Sequence, residues 1–254
     1  MGKFLICNGP KILELEIEYI AMSSLPPFLS PSPEQEALEL GLDYVIFDLL
    51  AVDARTRAEA KDDKTPPLRA YAVLDASQSP DIPICLKGFN DPARCLFDGQ
   101  AYDDLAEVAP WVVEFTRYSD AWYWFIEEGY GQNWGIFVHS RLDMPRLKTQ
   151  LKKFLKIEDE DGDVSFFKYY RPQHLNTHLP TFTPTQLERF MLGIEAMYGE
   201  YQKDTTKLLM HKRTDDGTLK RSIADLIKTG DPLRVQPASP DAAQALITAA
   251  KGSS

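Results

Sequence analysis

Alternating and continuous runs of apolar residues predict several β-strands along the chain. In residues 12–19 every second position is apolar, and Glu14, Glu16 and Glu18 lie between them, which is the pattern of a strand with one face in water. Continuous apolar runs are typical of strands that are buried on both faces. Such runs occupy residues 43–52, 70–76, 111–115 and 134–140.

Helices are predicted where apolar residues recur every three to four positions and a helix-capping residue precedes the segment. Asp143 is a suitable N-cap for a helix over residues 143–156, which has one apolar stripe and outward lysines. Thr183 and Gln186 form the sequence of a capping box. The apolar stripe that follows this box predicts a long helix that reaches Tyr201.

The order of these signals indicates the fold class and the domains. Strand and helix signals alternate, so we expect an α/β fold: a mixed sheet with flanking helices, plus a mainly helical C-terminal lobe. Residues 1–66 are interpreted as an N-terminal extension with strands that could belong to the same sheet. Residues 67–205 are interpreted as the main domain, and residues 206–254 as a helical segment with a flexible tail. A hairpin is predicted to turn at Asp161 and Gly162.

Composition and charge narrow the possible functions. The net charge is −10 and the mean hydropathy is −0.31, which argues for a soluble protein and against nucleic acid as a partner, because phosphate contacts need clustered Lys and Arg. No apolar run approaches the roughly 18 residues of a membrane span, and the first ten residues do not form a secretory signal. Cys7, Cys85 and Cys95 form no CxxC pair. We therefore expect a cytoplasmic protein without a membrane partner and with buried thiols.

Residues 129–135, GYGQNWG, are rich in glycine. A dinucleotide site needs G-x-G-x-x-G after a strand and before a helix. Here the spacing differs and the order is reversed, with a helix before the turn and a strand after it. Gly129 is expected to end the helix, Gly131 to permit the reversal, and Gly135 to enter the strand beside Trp134. This structural corner is favoured over a phosphate site, and no cofactor is predicted.

Candidate catalytic and metal residues give weaker signals. Asp75 and His139 end predicted strands and could form a triad with Ser140, but Ser140 lacks the G-x-S-x-G turn that exposes a nucleophile. His174 and His178 have the spacing of two ligands on a helix, without the glutamate and third ligand of a zinc protease. We therefore predict neither a catalytic site nor a metal site. A hydrolase that uses Asp75 and His139 remains the alternative.

Residues 121–126, AWYWFI, hold more aromatic side chains than one helical face needs. Trp122 and Phe125 fit a core stripe, whereas Tyr123 and Trp124 are surplus. The surplus is explained by a helix buried on two faces. It is also explained by an anchor for a protein partner, since Trp and Tyr are enriched in binding hot spots.

Residues 71–198 contain a series of six motifs. These are YAVLDAS, CLFDG, LAEVAPWVVEF, EEGYGQNWGIFVHS, LKTQLKKFLKIEDEDGDVSFFKYYRP and LPTFTPTQLERFMLGIE. In this order they resemble the type VI secretion effector chaperones, or adaptors. Tyr130 replaces the usual Trp of the glycine turn, Arg171 stands where the family commonly has Asp, and Gln173 stands where it often has Arg.

The resemblance implies a non-enzymatic function. Such a protein binds a cognate effector encoded nearby and helps to load it onto the VgrG spike, and residues 67–205 would then be the effector-chaperone domain. Beside the glycine turn, Tyr123, Trp124 and Tyr130 are the candidate partner-binding residues. A small-ligand regulatory module, with a pocket at the strand ends near the turn, is a further alternative.

Overall fold

A computed structural model describes residues 4–6, 13–15, 32–158, 164–201 and 203–229. The chain divides into two compact units, Met1–Glu36 and Ala37–Ser254. In the first unit, β1 (Phe4–Ile6) and β2 (Leu13–Leu15) pair antiparallel in a sheet of their own. The predicted strand over 12–19 is thus confirmed at residues 13–15, and its remainder lies outside the described residues.

The remaining elements alternate between helix and strand. The helices are α1 (Pro33–Asp43), α2 (Leu49–Glu59), α3 (Asp81–Gly88), α4 (Gln100–Leu105), α5 (Asp120–Trp124), α6 (Met144–Lys152), α7 (Pro172–His178), α8 (Pro184–Phe190) and α9 (Leu226–Thr229). Two π-helical turns, Tyr44–Asp48 and Phe125–Gly129, and a 3-10 turn, Leu179–Thr181, extend them. The further strands are β3 (Arg69–Asp75), β4 (Ala93–Cys95), β5 (Pro110–Phe115), β6 (Gly135–Ser140), β7 (Lys156–Glu158), β8 (Val164–Phe166), β9 (Ile194–Glu200), β10 (Lys207–Arg213) and β11 (Leu219–Asp225).

One seven-stranded sheet forms the centre of the second unit. Its order is β11-β10-β9-β6-β3-β5-β4, and every pairing is antiparallel. In β3, Val73 lies opposite Ile136 of β6 and Val112 of β5. All six residues of β6 are buried, because helices cover both faces of the sheet. The predicted α/β fold with flanking helices is confirmed, but the described sheet is antiparallel and not mixed as predicted.

Each face of the sheet carries its own apolar core. One core includes Trp122 and Phe125 of the α5 region together with Tyr198 of β9. The core on the opposite face includes Tyr71, Tyr169, Phe190 and Met197, which pack with α6, α7 and α8. No described helix combines the length and the apolar character that a membrane crossing requires.

The helix starts follow the predicted capping chemistry. The Asp143 carboxylate accepts from the Arg146 N–H, and Thr183 and Gln186 make both bonds of a capping box. The predicted hairpin is also confirmed, because β7 and β8 pair antiparallel. Its turn at Asp161 and Gly162 lies outside the described residues.

The described part of the C-terminal region, up to Thr229, is not the mainly helical lobe that the sequence predicts. Helix α8 ends at Phe190, and Gly193, with a φ of +74°, turns the chain into β9. The strands β10 and β11 follow, whereas α9 is only 4 residues long. The apolar residues between Leu187 and Tyr198 suited a helical stripe, but β9 is an inner strand that buries apolar residues on both faces, so the same residues also suit a strand.

The strand predicted over residues 43–52 is a helix in the structure. Asp43 ends α1, the π-helical turn Tyr44–Asp48 follows, and α2 continues to Glu59. Ile46 and Phe47 are buried. A short apolar run fits a buried helix as well as a buried strand, and only the neighbouring elements decide between them.

Candidate functional site

The glycine turn connects the α5 region to β6. The N–H of Tyr130 donates to the carbonyl of Phe125 at 2.8 Å, which closes the π-helical turn. The N–H of Gln132 then donates to the carbonyl of Gly129 at 3.1 Å. Between them Gly131 has a φ of +82°, a conformation that residues with a Cβ rarely adopt. The chain therefore reverses within a few residues, with Gly131 at the bend.

The other two glycines of the turn are places of close approach. A Cβ on Gly129 would lie 2.6 Å from the Trp134 ring, and a Cβ on Gly135 would lie 2.2 Å from the carbonyl oxygen of Val73 in the neighbouring strand. The carbonyl of Trp134 also accepts from the Asp75 N–H at 2.7 Å. The turn is thus packed directly against the end of β3.

A buried carboxylate, that of Glu200, faces the turn. Glu200 is 2% exposed and lies at the end of β9. Burial raises the pKa of Glu200 to about 7, and the backbone N–H groups of Gly131 and Asn133 partly offset this rise. Neither carboxylate oxygen of Glu200 has a partner within normal hydrogen-bond distance and angle. The amides of Gly131 and Asn133 therefore face an internal carboxyl group.

Glu200→Gln is expected to be more stable than the wild type at pH 8, by about 3 kcal/mol. The folded pKa of about 7 lies above the ordinary value of 4.5, so the wild type loses stability as pH rises through this interval. Glutamine carries no charge and avoids this loss. Urea unfolding at pH 5 to 8 measures the difference, which should shrink toward pH 5.

The matched control for this prediction is Glu128→Gln. Glu128 is exposed on the π-helical turn that leads into the glycine turn, so the change in net charge is the same without a buried carboxylate. We expect its stability to follow the wild type at every pH. Parallel pH profiles for Glu200→Gln and the wild type would contradict the assignment of a destabilising buried charge.

Asp75 is the centre of a polar cluster at the end of β3. Its buried carboxylate accepts from the Arg171 Nε at 2.6 Å, from the Ser77 hydroxyl at 2.7 Å and from the Gln78 side chain at 3.4 Å. Arg171 also donates to the Ser77 hydroxyl at 3.1 Å. Arg171 neutralises Asp75 and connects the start of α7 to β3.

His139 and Ser140 are buried and bonded elsewhere. The His139 Nε2 lies 2.9 Å from the carbonyl oxygen of Ile46, and its Nδ1 lies 3.0 Å from the Tyr198 hydroxyl. Because a carbonyl only accepts, Nε2 carries the proton and the Tyr198 hydroxyl donates to Nδ1. Burial lowers the pKa of His139 to about 4. The Ser140 hydroxyl donates to the carbonyl of Gly193 at 2.6 Å.

The structure does not bring Asp75, His139 and Ser140 together. In the antiparallel pair of β3 and β6, His139 lies opposite Ala70, whereas Asp75 lies five residues further along β3. At about 3.4 Å per residue this separates the two backbone positions by roughly 17 Å. His139 and Asp75 therefore occupy opposite ends of the strand pair, each with its own partners.

His174 and His178 lie close together on α7. Their ring centroids are 5.9 Å apart. Burial, followed by the charge of Arg171, lowers the pKa of His174. Among the residues that the structure describes, no group of three or more His, Cys, Asp or Glu side chains is arranged to hold a metal ion.

The surplus aromatic residues of α5 have two different environments. Trp122 is buried, whereas Tyr123 is 49% exposed. Trp124 is half-buried, with its ring 5.6 Å from the Phe89 ring and 5.2 Å from the Trp134 ring. Tyr123 is therefore accessible to a partner, and Trp124 mainly packs this helix onto the glycine turn.

Tyr130 does not form part of the exposed surface that the sequence predicted. Its side chain is 9% exposed, and its hydroxyl donates to the carbonyl of Thr205 at 2.7 Å. Burial raises the pKa of Tyr130, with further contributions from Glu200 and Asp204. Because the ring fastens the glycine turn to the loop after β9, the prediction of an exposed anchor at Tyr130 is wrong.

Tyr118 is an exposed aromatic that the sequence reasoning missed. It is 68% exposed, its φ is +68°, and its ring stacks on that of Tyr123 with centroids 6.4 Å apart and an interplanar angle of 27°. A left-handed tyrosine is uncommon and carries backbone strain. Nothing in the residue pattern signals this conformation, because it depends on how the loop after β5 meets the Ser119 cap of α5.

The comparisons with known proteins concern the region that contains these sites. No curated protein and no solved structure matches the chain. Residues 70–189, from β3 to α8, match the model of a domain of unknown function, DUF4123, a family associated with adaptors of type VI secretion effectors.

Proposed function

We propose that this protein is a cytoplasmic, non-catalytic adaptor that binds a cognate type VI secretion effector encoded nearby and helps to load it onto the VgrG spike. The match of residues 70–189 to DUF4123 carries this proposal. The matched region includes the glycine turn, the aromatic helix α5 and the Asp75 cluster. A binding function also agrees with a turn whose amides already face an internal carboxylate.

The stacked pair of Tyr118 and Tyr123 is the part of the surface that best fits a partner anchor. Both rings are large and exposed, and they stack on each other with their planes 27° apart. Tyrosine is also enriched among the few residues that carry most of the energy of an interface. The strained backbone at Tyr118 supports a functional reason for this arrangement.

The alternative enzymatic function has less support. A hydrolase that uses Asp75 and His139 would need the two side chains within hydrogen-bond reach of each other or of a shared substrate. They lie at opposite ends of paired strands, and His139 is 1% exposed. No specific observation favours the small-ligand module.

The proposal predicts that this protein co-purifies with the toxin encoded beside it. In that complex, Tyr118→Ala with Tyr123→Ala is expected to weaken binding by about thirtyfold, since the loss of a true anchor costs about 2 kcal/mol. Titration calorimetry on the purified partners measures the change. Ile223→Ala is the matched control, because Ile223 is also a large exposed apolar residue, at 54%, but lies on β11 at the other edge of the sheet.

The two halves of this prediction fail in different ways. If no neighbouring toxin co-purifies with the wild type, the adaptor function itself is contradicted. If the toxin binds but the double variant and Ile223→Ala have the same affinity as the wild type, the tyrosine pair is not the anchor. Circular dichroism and the melting temperature of each variant show whether a loss of binding reflects a loss of the fold.

A further inference from the structure

The strand β4 forms one edge of the seven-stranded sheet. Among the strands that the structure describes, its only neighbour in the sheet is β5. The carbonyl of Pro92, just before β4, accepts from the N–H of Glu114 at 2.9 Å and therefore points toward β5. Because the backbone groups of an antiparallel strand alternate in direction, those of Ala93 and Cys95 point away from β5. Ala93 is partly exposed and thus offers a backbone donor and acceptor to an added strand, whereas Cys95 is buried.

The outward carbonyl of Ala93 already accepts a hydrogen bond, but from a side chain. The guanidinium of the adjacent residue, Arg94, donates to it at 2.8 Å. Arg94 is exposed, so this local bond can be exchanged for one from an incoming backbone at little cost in burial. Ala93 is therefore a position where no described strand continues the sheet.

A groove of about 790 Å³ lies beside this edge. Aromatic side chains, among them Phe97, Tyr102 and the buried Trp111, form much of its lining. The Lys87 Nζ lies 5.4 Å from the centre of the Trp111 ring. The groove therefore combines several aromatic side chains with an edge that no described strand covers, which together suit an extended peptide with apolar side chains on one face.

The two cations at the groove, Lys87 and Arg94, have no ion-pair partner in the described part of the chain. Both are exposed, and neither forms one of the salt bridges between described residues. The protein as a whole has a net charge of −10. Two cations without carboxylate partners on an acidic protein favour an acidic ligand at this place.

The carboxylates that line the groove already have partners. Asp98 accepts from Lys148 at 2.5 Å and from Lys152 at 2.6 Å. The Asp91 carboxylate accepts from the backbone N–H of Ala121 at 3.3 Å, at the start of α5. Neither carboxylate neutralises Lys87 or Arg94. The charges therefore leave the groove complementary to an anionic segment.

We propose that this groove binds an extended acidic segment of the partner protein, which adds to the free edge of β4 as a further strand. The backbone of the segment bonds to Ala93, its carboxylates contact Lys87 and Arg94, and its apolar side chains contact the aromatic residues of the groove. This inference rests on the proposed function for the identity of the partner. The chemistry of the segment follows from the groove alone.

A labelled peptide of alternating Glu and Val residues tests the groove without the effector. Fluorescence anisotropy is expected to show binding to the wild type. A peptide with Lys in place of Glu should bind at least about tenfold more weakly, and so should an acidic peptide of equal charge with Pro at every second position, which cannot pair as a strand. Equal binding of all three peptides, or of none, would overturn the proposal.

Variants of the protein separate the charge from the strand edge. The double variant Lys87→Glu with Arg94→Glu is expected to bind the acidic peptide at least about tenfold more weakly than the wild type. Arg55→Glu with Lys64→Glu makes the same change in net charge at two exposed residues outside the groove and should leave binding within about twofold of the wild type. If both double variants lose affinity equally, only the net charge matters and the groove is not the site.

Ala93→Pro tests the strand edge directly. Proline removes the outward N–H of this residue and leaves the bonds to β5 in place. We expect binding of the acidic peptide to fall at least about tenfold while the melting temperature stays near that of the wild type. Unchanged peptide binding by this folded variant would contradict strand addition.

The same variants distinguish the failure of this inference from the failure of the proposed function. If the neighbouring toxin co-purifies with the wild type and equally with Lys87→Glu/Arg94→Glu and Ala93→Pro, the adaptor function stands and this docking site is wrong. If no toxin co-purifies but the acidic peptide binds as expected, the groove stands and its natural partner is another protein.

Discussion

Replacing Gly135 by alanine is expected to remove most of the soluble, folded protein. A Cβ at this position would lie 2.2 Å from the carbonyl oxygen of Val73 and within 2.9 Å of the Leu74 Cα. Both contacts are with the backbone of β3, so no side-chain rotation relieves them. The two central strands of the sheet would have to separate, and we expect a loss of about 4 kcal/mol or more in the free energy of unfolding.

Substitutions at two other glycines serve as controls for this prediction. A Cβ on Gly88 would have no atom within 4 Å, so Gly88→Ala should stay within about 1 kcal/mol of the wild type. Gly131→Ala also meets no atom, but its φ of +82° should cost about 1–2 kcal/mol. Thermal unfolding and soluble yield measure all three variants. If Gly135→Ala and Gly88→Ala have the same melting temperature, β3 and β6 do not approach each other as closely at Gly135 as the structure indicates.

The central strands could be predicted from the sequence because their local pattern and their environment agree. Residues 70–76 and 134–140 are nearly all apolar, and β3 and β6 are buried on both faces between two helical layers. The helix starts at Asp143 and Thr183 were predictable for a similar reason, since their caps use residues within three positions along the chain.

The elements that were mispredicted depend on distant parts of the chain. The apolar run around Ile46 is helical, and the carbonyl of Ile46 contacts His139 in β6, 93 residues away along the chain. The segment after Gly193 becomes a strand because β6 and β10 stand on either side of it. A local apolar period does not contain this information, so the pattern alone left helix and strand unresolved.

The candidate sites were likewise predictable where they depend on local sequence, and not where they depend on residues distant along the chain. The glycine turn was predictable as a corner because its order, helix then strand, excludes a dinucleotide site without any knowledge of the fold. Glu200, by contrast, is one acidic residue among many in the sequence. Only the pairing of β9 beside β6 places its carboxylate against the amides of Gly131 and Asn133. The same holds for Arg171, whose partner Asp75 is 96 residues away.

The pair formed by Asp75 and Arg171 leads to the second large prediction. The Asp75 side chain is 1% exposed and that of Arg171 is 32% exposed, with 2.6 Å between the Oδ2 and Nε atoms. Removal of one partner from such a pair leaves a buried charge without its counter-ion, which costs about 3–5 kcal/mol for fully buried pairs. Because Arg171 is partly in water, we expect about 2–3 kcal/mol for Arg171→Ala.

The double variant Asp75→Asn with Arg171→Ala distinguishes charge pairing from packing. Without the carboxylate, the loss of the guanidinium leaves no unpaired ion, so Arg171→Ala should cost less in the Asp75→Asn background than in the wild type. Urea unfolding of the four proteins gives this coupling energy, and we expect about 1–2 kcal/mol. Arg146→Ala is the control, because Arg146 is 75% exposed and its ion pair with Asp143 lies on the surface; it should change stability by less than about 0.5 kcal/mol.

A coupling energy near zero would mean that Arg171 stabilises the start of α7 without neutralising Asp75. A loss for Arg171→Ala no larger than that for Arg146→Ala would mean that solvent, Ser77 and Gln78 satisfy the carboxylate by themselves. The expected coupling instead makes Arg171 the residue that allows a carboxylate at the buried end of β3. A relative with an acidic residue at the position of Arg171 would then need a different cation, or a neutral side chain, in the place of Asp75.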